Sequence, residues 1–192
     1  MSSYYKVIAC EIAVREICHG IARSTNTIDV EFVPQGLHDH PKQGLIEVQK
    51  RIDAVPPGRY DAILVGYALC GNLITGLQAR DTQLVIPRAH DCITFFLGSK
   101  ERYLSLSASL PGAYFYTSGW LECVRRRGES LPPTHPAYLL PTRPDAGEQP
   151  SAMYEQWVRK YGEEQARHLL EVMSHWAQNY THGVLIDFKF TK

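Results

Sequence analysis

The 192-residue sequence predicts a mostly parallel, doubly wound α/β fold of the Rossmann-like or flavodoxin-like kind, with a helical appendage toward its C-terminus. Three observations carry this. Short apolar runs of strand length alternate with single stretches of helical periodicity. Several of the runs are apolar throughout, as strands covered on both faces are. A proline-rich stretch then separates this alternating portion from one long amphipathic helix.

In chain order, strands are expected at residues 5–9 (YKVIA), 28–33 (IDVEFV), 60–66 (YDAILVG), 83–86 (QLVI), 113–117 (AYFYT) and 184–188 (VLIDF). Helices are expected at 11–22, 41–55, 72–79, 92–106 with a break at Gly98, and 120–127. Residues 131–150 hold six of the twelve prolines and read as an irregular connection. Beyond it, Ala166, Leu169, Leu170, Met173, Trp176, Ala177 and Tyr180 fall on one face of a helix starting near Glu163. The domain reading is therefore a core over 1–130 with a site at its strand ends, a connection over 131–150, and a long helix and final strand over 151–192 packed on the core.

Composition narrows the function. With 44% hydrophobic and 21% charged residues and no net charge, the chain reads as an ordinary globular protein. It lacks the electrostatic footprint of a binder of nucleic acid or anionic membranes. Glu11, Arg15 and Glu16 interrupt the apolar N-terminal residues, so no signal peptide is expected. No apolar run approaches the roughly 18 residues that span a bilayer. A cytoplasmic location and a small-molecule substrate are the expectation, and the five cysteines then read as reduced thiols available for packing, metal binding or catalysis.

In a parallel sheet, ligands bind beyond the carboxyl ends of the strands. The residues found there are unusual: Cys10 after the first strand, His38 and His40 after the second, Cys70 after the third, His90 and Cys92 after the fourth. Cys18 and Cys123 fall inside helices, where packing is the default. Imidazole and thiolate are the ligands zinc prefers, and three of them with one open position make a catalytic site. The metal set read from this is Cys10, Cys70, Cys92 and a histidine, His38 or His90. The same three cysteines could instead hold a 4Fe-4S cluster with one open iron.

The same positions admit other chemistry. The stretch GYALCGNL has the glycine spacing of a phosphate loop at Gly66 and Gly71, but Asn72 and Leu73 replace the lysine and hydroxyl residue, which disfavours nucleotide hydrolysis. Gly71 reads as a tight turn presenting a helix N-terminus that lowers the Cys70 pKa, so a metal-free nucleophile with His90 as base stays open. Arg88 could clamp a substrate carboxylate, neutralise thiolates or pair with Asp91. The arginines of VRRRG fit a solvated helix end, and His168 and His175 the polar face of the long helix.

The stretches LHDHP, VGYALCGNLITGL, VIPRAHDCITFFLGS, YFYTSGW and KYGEEQARHL together resemble the uncharacterised family labelled domain of unknown function 1638, over roughly residues 6–187. The departure is YAL at 67–69, where glycine is expected after the tyrosine. The resemblance carries the motif cysteines and histidines onto Cys10, His38, Cys70, His90 and Cys92. It implies an association with corrinoid-dependent methyltransferases, and so an enzyme of one-carbon or methyl-transfer metabolism, a metal-dependent transferase in which Arg88, His38 and Tyr67 contact substrate and His90 works beside them. The alternatives are a non-catalytic metal or cofactor carrier serving a corrinoid protein or methyltransferase, an iron-sulfur protein, and a metal-free cysteine hydrolase.

Overall fold

The computed structural model describes residues 2–37, 40–126, 152–175 and 180–190. The expected doubly wound core is present as a four-stranded, all-parallel sheet. Its strands are β1 (Tyr4–Cys10), β2 (Thr27–Val33), β3 (Ala62–Gly66) and β4 (Leu84–Val85), in the order β2-β1-β3-β4. Every residue of β1 pairs with β2, from Tyr4 with Thr27 to Cys10 with Val33, while Tyr5 to Ala9 pair with Ala62 to Gly66 of β3.

Side-chain alternation sorts the two faces. Ile8, Ile63 and Val65 point to the side covered by α2 (Pro41–Asp53), where they pack with its Val48 and Ile52. Val7 and Leu64 point the other way, toward Ile17 and Ile21 of α1 (Val14–Arg23), which follows a 3-10 turn at Glu11–Ala13. Gly66 is required by proximity: a Cβ there would lie 2.5 Å from that of Ala9.

After β4, Pro87 carries the chain out of the sheet as its missing N–H demands. The Asp91 carboxylate then caps α3 (Cys92–Leu97), accepting from the Thr94 N–H at 2.7 Å. The expected break at Gly98 is a left-handed cap with φ 71°, and α4 (Lys100–Ser109) begins two residues later. A second, smaller sheet follows. In it β5 (Ala113–Tyr116) pairs in parallel with β6 (His182–Leu185), Ala113 opposite His182. Between them in sequence are α5 (Ser118–Arg126), α6 (Ala152–Tyr161) and α7 (Glu163–His175). A second hydrophobic core joins Ile12, Ala13, Phe96 and Trp120 to Tyr116, Ile186 and Phe188.

Two expectations are corrected. Residues 72–76 form turns and 77–79 irregular chain instead of a helix, because Cys70, Gly71 and Asn72 all take positive φ (37°, 68° and 67°) and a right-handed helix cannot start there. The final strand lies at His182–Leu185, two residues before the expected span, and belongs to the small sheet. The helix expected near Glu163 does start there, as α7, and α6 precedes it, divided from it at Gly162 with φ 86°. On α7, Ala166 is fully buried and His168 exposed, as its pattern predicts. The expected connection over 131–150, His38, and Trp176 and Ala177 of the apolar face lie outside the described residues. Among those described, no helix is long and apolar enough to cross a membrane.

Candidate functional site

The strand order reverses between β1 and β3: the chain moves from β1 out to β2 and returns to the other side of β1. That is the topological switch point, where open parallel sheets leave a crevice. A cavity of about 440 Å³ opens there, and Cys10, Tyr67, Cys70 and Cys92 line it together.

Each thiol reaches the cavity by a separate device. Cys10 is the last residue of β1, one position beyond the pair Ala9 and Gly66, which sets it beside Tyr67 just past β3. Cys70 rides the left-handed turn; its N–H donates to the His90 carbonyl at 3.2 Å, as that of Leu69 does to Ala89 at 3.0 Å. This two-rung extension beyond β4 ties the Cys70 turn to the loop carrying Cys92. Cys92 opens α3, held by the Asp91 cap, with Phe96 anchored in the second core. Opposite them, Trp120 is brought in by the close packing of α5 on the turn after Cys10, where a Cβ on Gly119 would overlap the Ile12 carbonyl.

The Cys70 and Cys92 thiols stand close enough to shift each other's ionisation. The Cys92 thiol lowers the Cys70 pKa against the opposing effect of burial, and Cys70 raises that of Cys92, whose burial and whose neighbour's negative charge add to it. The pair therefore holds its first negative charge on Cys70. Burial pushes the Cys10 thiol up to about 12. The expected cause for Cys70, a helix N-terminus at residue 72, is absent; the neighbouring thiol takes its place. Tyr67 is 5% exposed and its hydroxyl has no hydrogen-bond partner. Burial first, and then the adjacent Cys10 thiol, keep that phenol protonated.

The other sequence candidates lie elsewhere. Arg88 and His90 line a separate groove with Lys100. His90 is engaged there, with Nδ1 2.8 Å from Thr94 Oγ1 and Nε2 3.1 Å from Asp91 Oδ2. Asp91 thus pairs with His90. Cys123 is fully buried, Cys18 is exposed on α1, and neither lines the cavity. Sequence reasoning did not place Asp91 or the rings of Tyr103, Tyr114, Trp120 and Tyr180 on the wall. The aromatic density of YFYTSGW was the available signal, but it reads equally as core.

As a donor set, three thiols suit a soft or borderline metal such as zinc. Among the described residues, however, no three Cys, His, Asp or Glu side chains are arranged to hold an ion. Side chains would have to turn toward a common centre.

Fold and site together define a doubly wound α/β protein with a thiol-lined cavity at its switch point. The chain belongs to the family described as "Protein of unknown function (DUF1638)", which matches residues 32–192. Cys70 and Cys92 fall inside that match and Cys10 ahead of it. No curated protein and no solved structure matches the chain.

Proposed function

We propose that this is a metal-dependent enzyme of one-carbon or methyl-transfer metabolism, with zinc held by Cys70, Cys92 and Cys10. The observation that carries the reading is the convergence of three thiols from three different strand ends on one cavity. The resemblance to a family associated with corrinoid-dependent methyltransferases supplies the metabolic setting, with a corrinoid protein or methyltransferase as partner. Zinc, when bound, keeps its thiolate ligands deprotonated at neutral pH and polarises a substrate atom in the open position. The chain's own contribution is to bring Cys70 and Cys92 to one cavity, to wall it with aromatic rings, and to offer the Tyr67 hydroxyl as a donor to whatever enters.

The test is anaerobic purification with elemental analysis and an absorption spectrum. One zinc per chain with no visible absorption upholds the reading. Stoichiometric iron with visible absorption assigns the cluster to an iron-sulfur protein instead.

A second reading is favoured by Cys70 and Cys92 lining the same cavity, where the Cys92 thiol favours the Cys70 thiolate: a metal-free site in which Cys70 is the nucleophile and Cys92 its proton partner. Metal-free protein in which iodoacetamide alkylates Cys70 ahead of the exposed Cys18 would select it.

A further inference from the structure

We infer that Cys70 and Cys92 are a reversible redox pair, closed to a disulfide by exchange with a small disulfide that enters the cavity. The inference goes beyond the metal reading and stands with or without zinc. Topology selects this pair among the three cavity thiols. Strands β3 and β4 are neighbours in the sheet, whereas β3 separates β1 from β4. Neighbouring strands lie about 4.8 Å apart, within the roughly 4.4–6.8 Å between Cα atoms that a disulfide bridges, and next-but-one strands lie beyond it. Cys10, at the end of β1, is therefore set across β3 from the Cys92 side. Against β3 itself, Cys10 stands one residue past the Ala9–Gly66 pair, level with Tyr67 and not with Cys70.

Local structure beyond the strands keeps Cys70 and Cys92 together. The Leu69 and Cys70 N–H groups donate to the Ala89 and His90 carbonyls at 3.0 and 3.2 Å, so the two backbones run side by side to within two residues of Cys92. There the Asp91 cap turns the chain into α3, and Cys70 and Cys92 line one cavity. Both are free, half-buried thiols, close enough to influence each other's charge. The remaining cysteines are out of reach of this chemistry, Cys18 exposed on α1 and Cys123 fully buried, neither on the cavity wall.

The exchange balances without a further reagent. One sulfur of the pair, as thiolate, attacks a sulfur of the small disulfide, forming a mixed disulfide and releasing half of the reagent as a thiolate. The second protein thiol gives its proton to that thiolate and attacks the bonded protein sulfur, closing the Cys70–Cys92 bond and releasing the other half, which takes up the first thiol's proton. Two protein thiols lose two electrons, and one small disulfide becomes two thiols. On the zinc reading of the site, the closed bridge withdraws two of the three ligands.

The test uses the full chain, reduced, freed of metal with a chelator, and incubated with 2-hydroxyethyl disulfide before alkylation and peptide mapping. The expected product is one cross-linked peptide joining Cys70 to Cys92, neither of them alkylated, with unchanged far-UV circular dichroism and full reversal by dithiothreitol. Cys10→Ser should form the same bridge. Cys70→Ser and Cys92→Ser should form none, and each should instead hold the reagent as a mixed disulfide on the cysteine that is left. A folded wild-type chain that forms no Cys70–Cys92 peptide, forms it only in urea, or joins another pair overturns the inference. Zinc measured before chelation decides the metal reading separately: the bridge in a chain that held no zinc removes only the metal, and zinc without the bridge removes only the redox pair.

Discussion

Cys70 occupies a backbone position that an L-residue resists, with φ 37° at the head of three left-handed residues. Such conformations cost roughly 1–2 kcal/mol and persist where the surroundings or a function require the side chain. Cys70→Gly and Cys70→Ala both remove the thiol, so their difference isolates the backbone. We expect the glycine variant to be more stable than the alanine variant by about 1 kcal/mol in urea unfolding, while both lose metal or thiol reactivity. Equal stability would mean that the turn carries no strain. A different residue shows the cost of an unanswered charge. Both carboxylate oxygens of Glu16 are buried without a partner, since Arg15 is committed to Glu122 at 2.7 and 2.9 Å. Burial raises the Glu16 pKa above the usual carboxylate range. A raised native pKa favours folding while both states are protonated, and that stability is lost as pH rises through the native value. Glu16→Gln should therefore raise Tm at pH 7, with the gain fading below pH ~4 as the wild-type carboxyl protonates in both states. A constant gain at every pH would show that packing, not charge, is responsible.

The elements that carry the site were legible where local chemistry and burial agree. β1 and β2 read as strands from their apolar alternation. The stretch CITFFLGS read as a helix leaving Pro87 and stopping at Gly98, and α3 does both, because the Asp91 cap and the glycine are local signals. The helix expected at 72–79 failed for a reason that sequence conceals. Leu73 and Ile74 are buried as a helix would bury them, but from a left-handed turn that only tertiary contacts with the 89–90 segment define. The small sheet was hidden similarly, since β5 and β6 pair across more than sixty residues. Two glycines test how tightly these elements are set. Gly119→Ala drives a Cβ into the Ile12 carbonyl, where backbone must yield, and should cost at least about 2 kcal/mol. Gly20 in α1 has nothing within 4 Å of a new Cβ, so Gly20→Ala should stabilise by about 0.5–1 kcal/mol. Urea midpoints that move together in both variants would contradict this packing account.

At the scale of the molecule, the function reading depends on topology more than on any motif. Cys10, Cys70 and Cys92 are separated by 60 and 22 positions and share no recognisable spacing. Their common property is that each stands at or beyond the carboxyl end of a strand of one parallel sheet, and this is why they could be found from sequence. Their partners could not. The histidines occupy equivalent strand ends, but the loop after β4 turns the His90 ring into an outer groove, and side-chain direction within a loop is not written in periodicity. The aromatic wall is assembled from α4, β5, α5 and Tyr180, elements far apart in the chain. The central claim is that the three thiols act on one metal. X-ray absorption at the zinc edge on the anaerobically loaded protein tests it most directly. The account predicts three sulfur neighbours at about 2.3 Å, one fewer in Cys92→Ser, and an unchanged spectrum in Cys18→Ser. Zinc surrounded only by nitrogen and oxygen, or a Cys92→Ser spectrum identical to wild type, would contradict it.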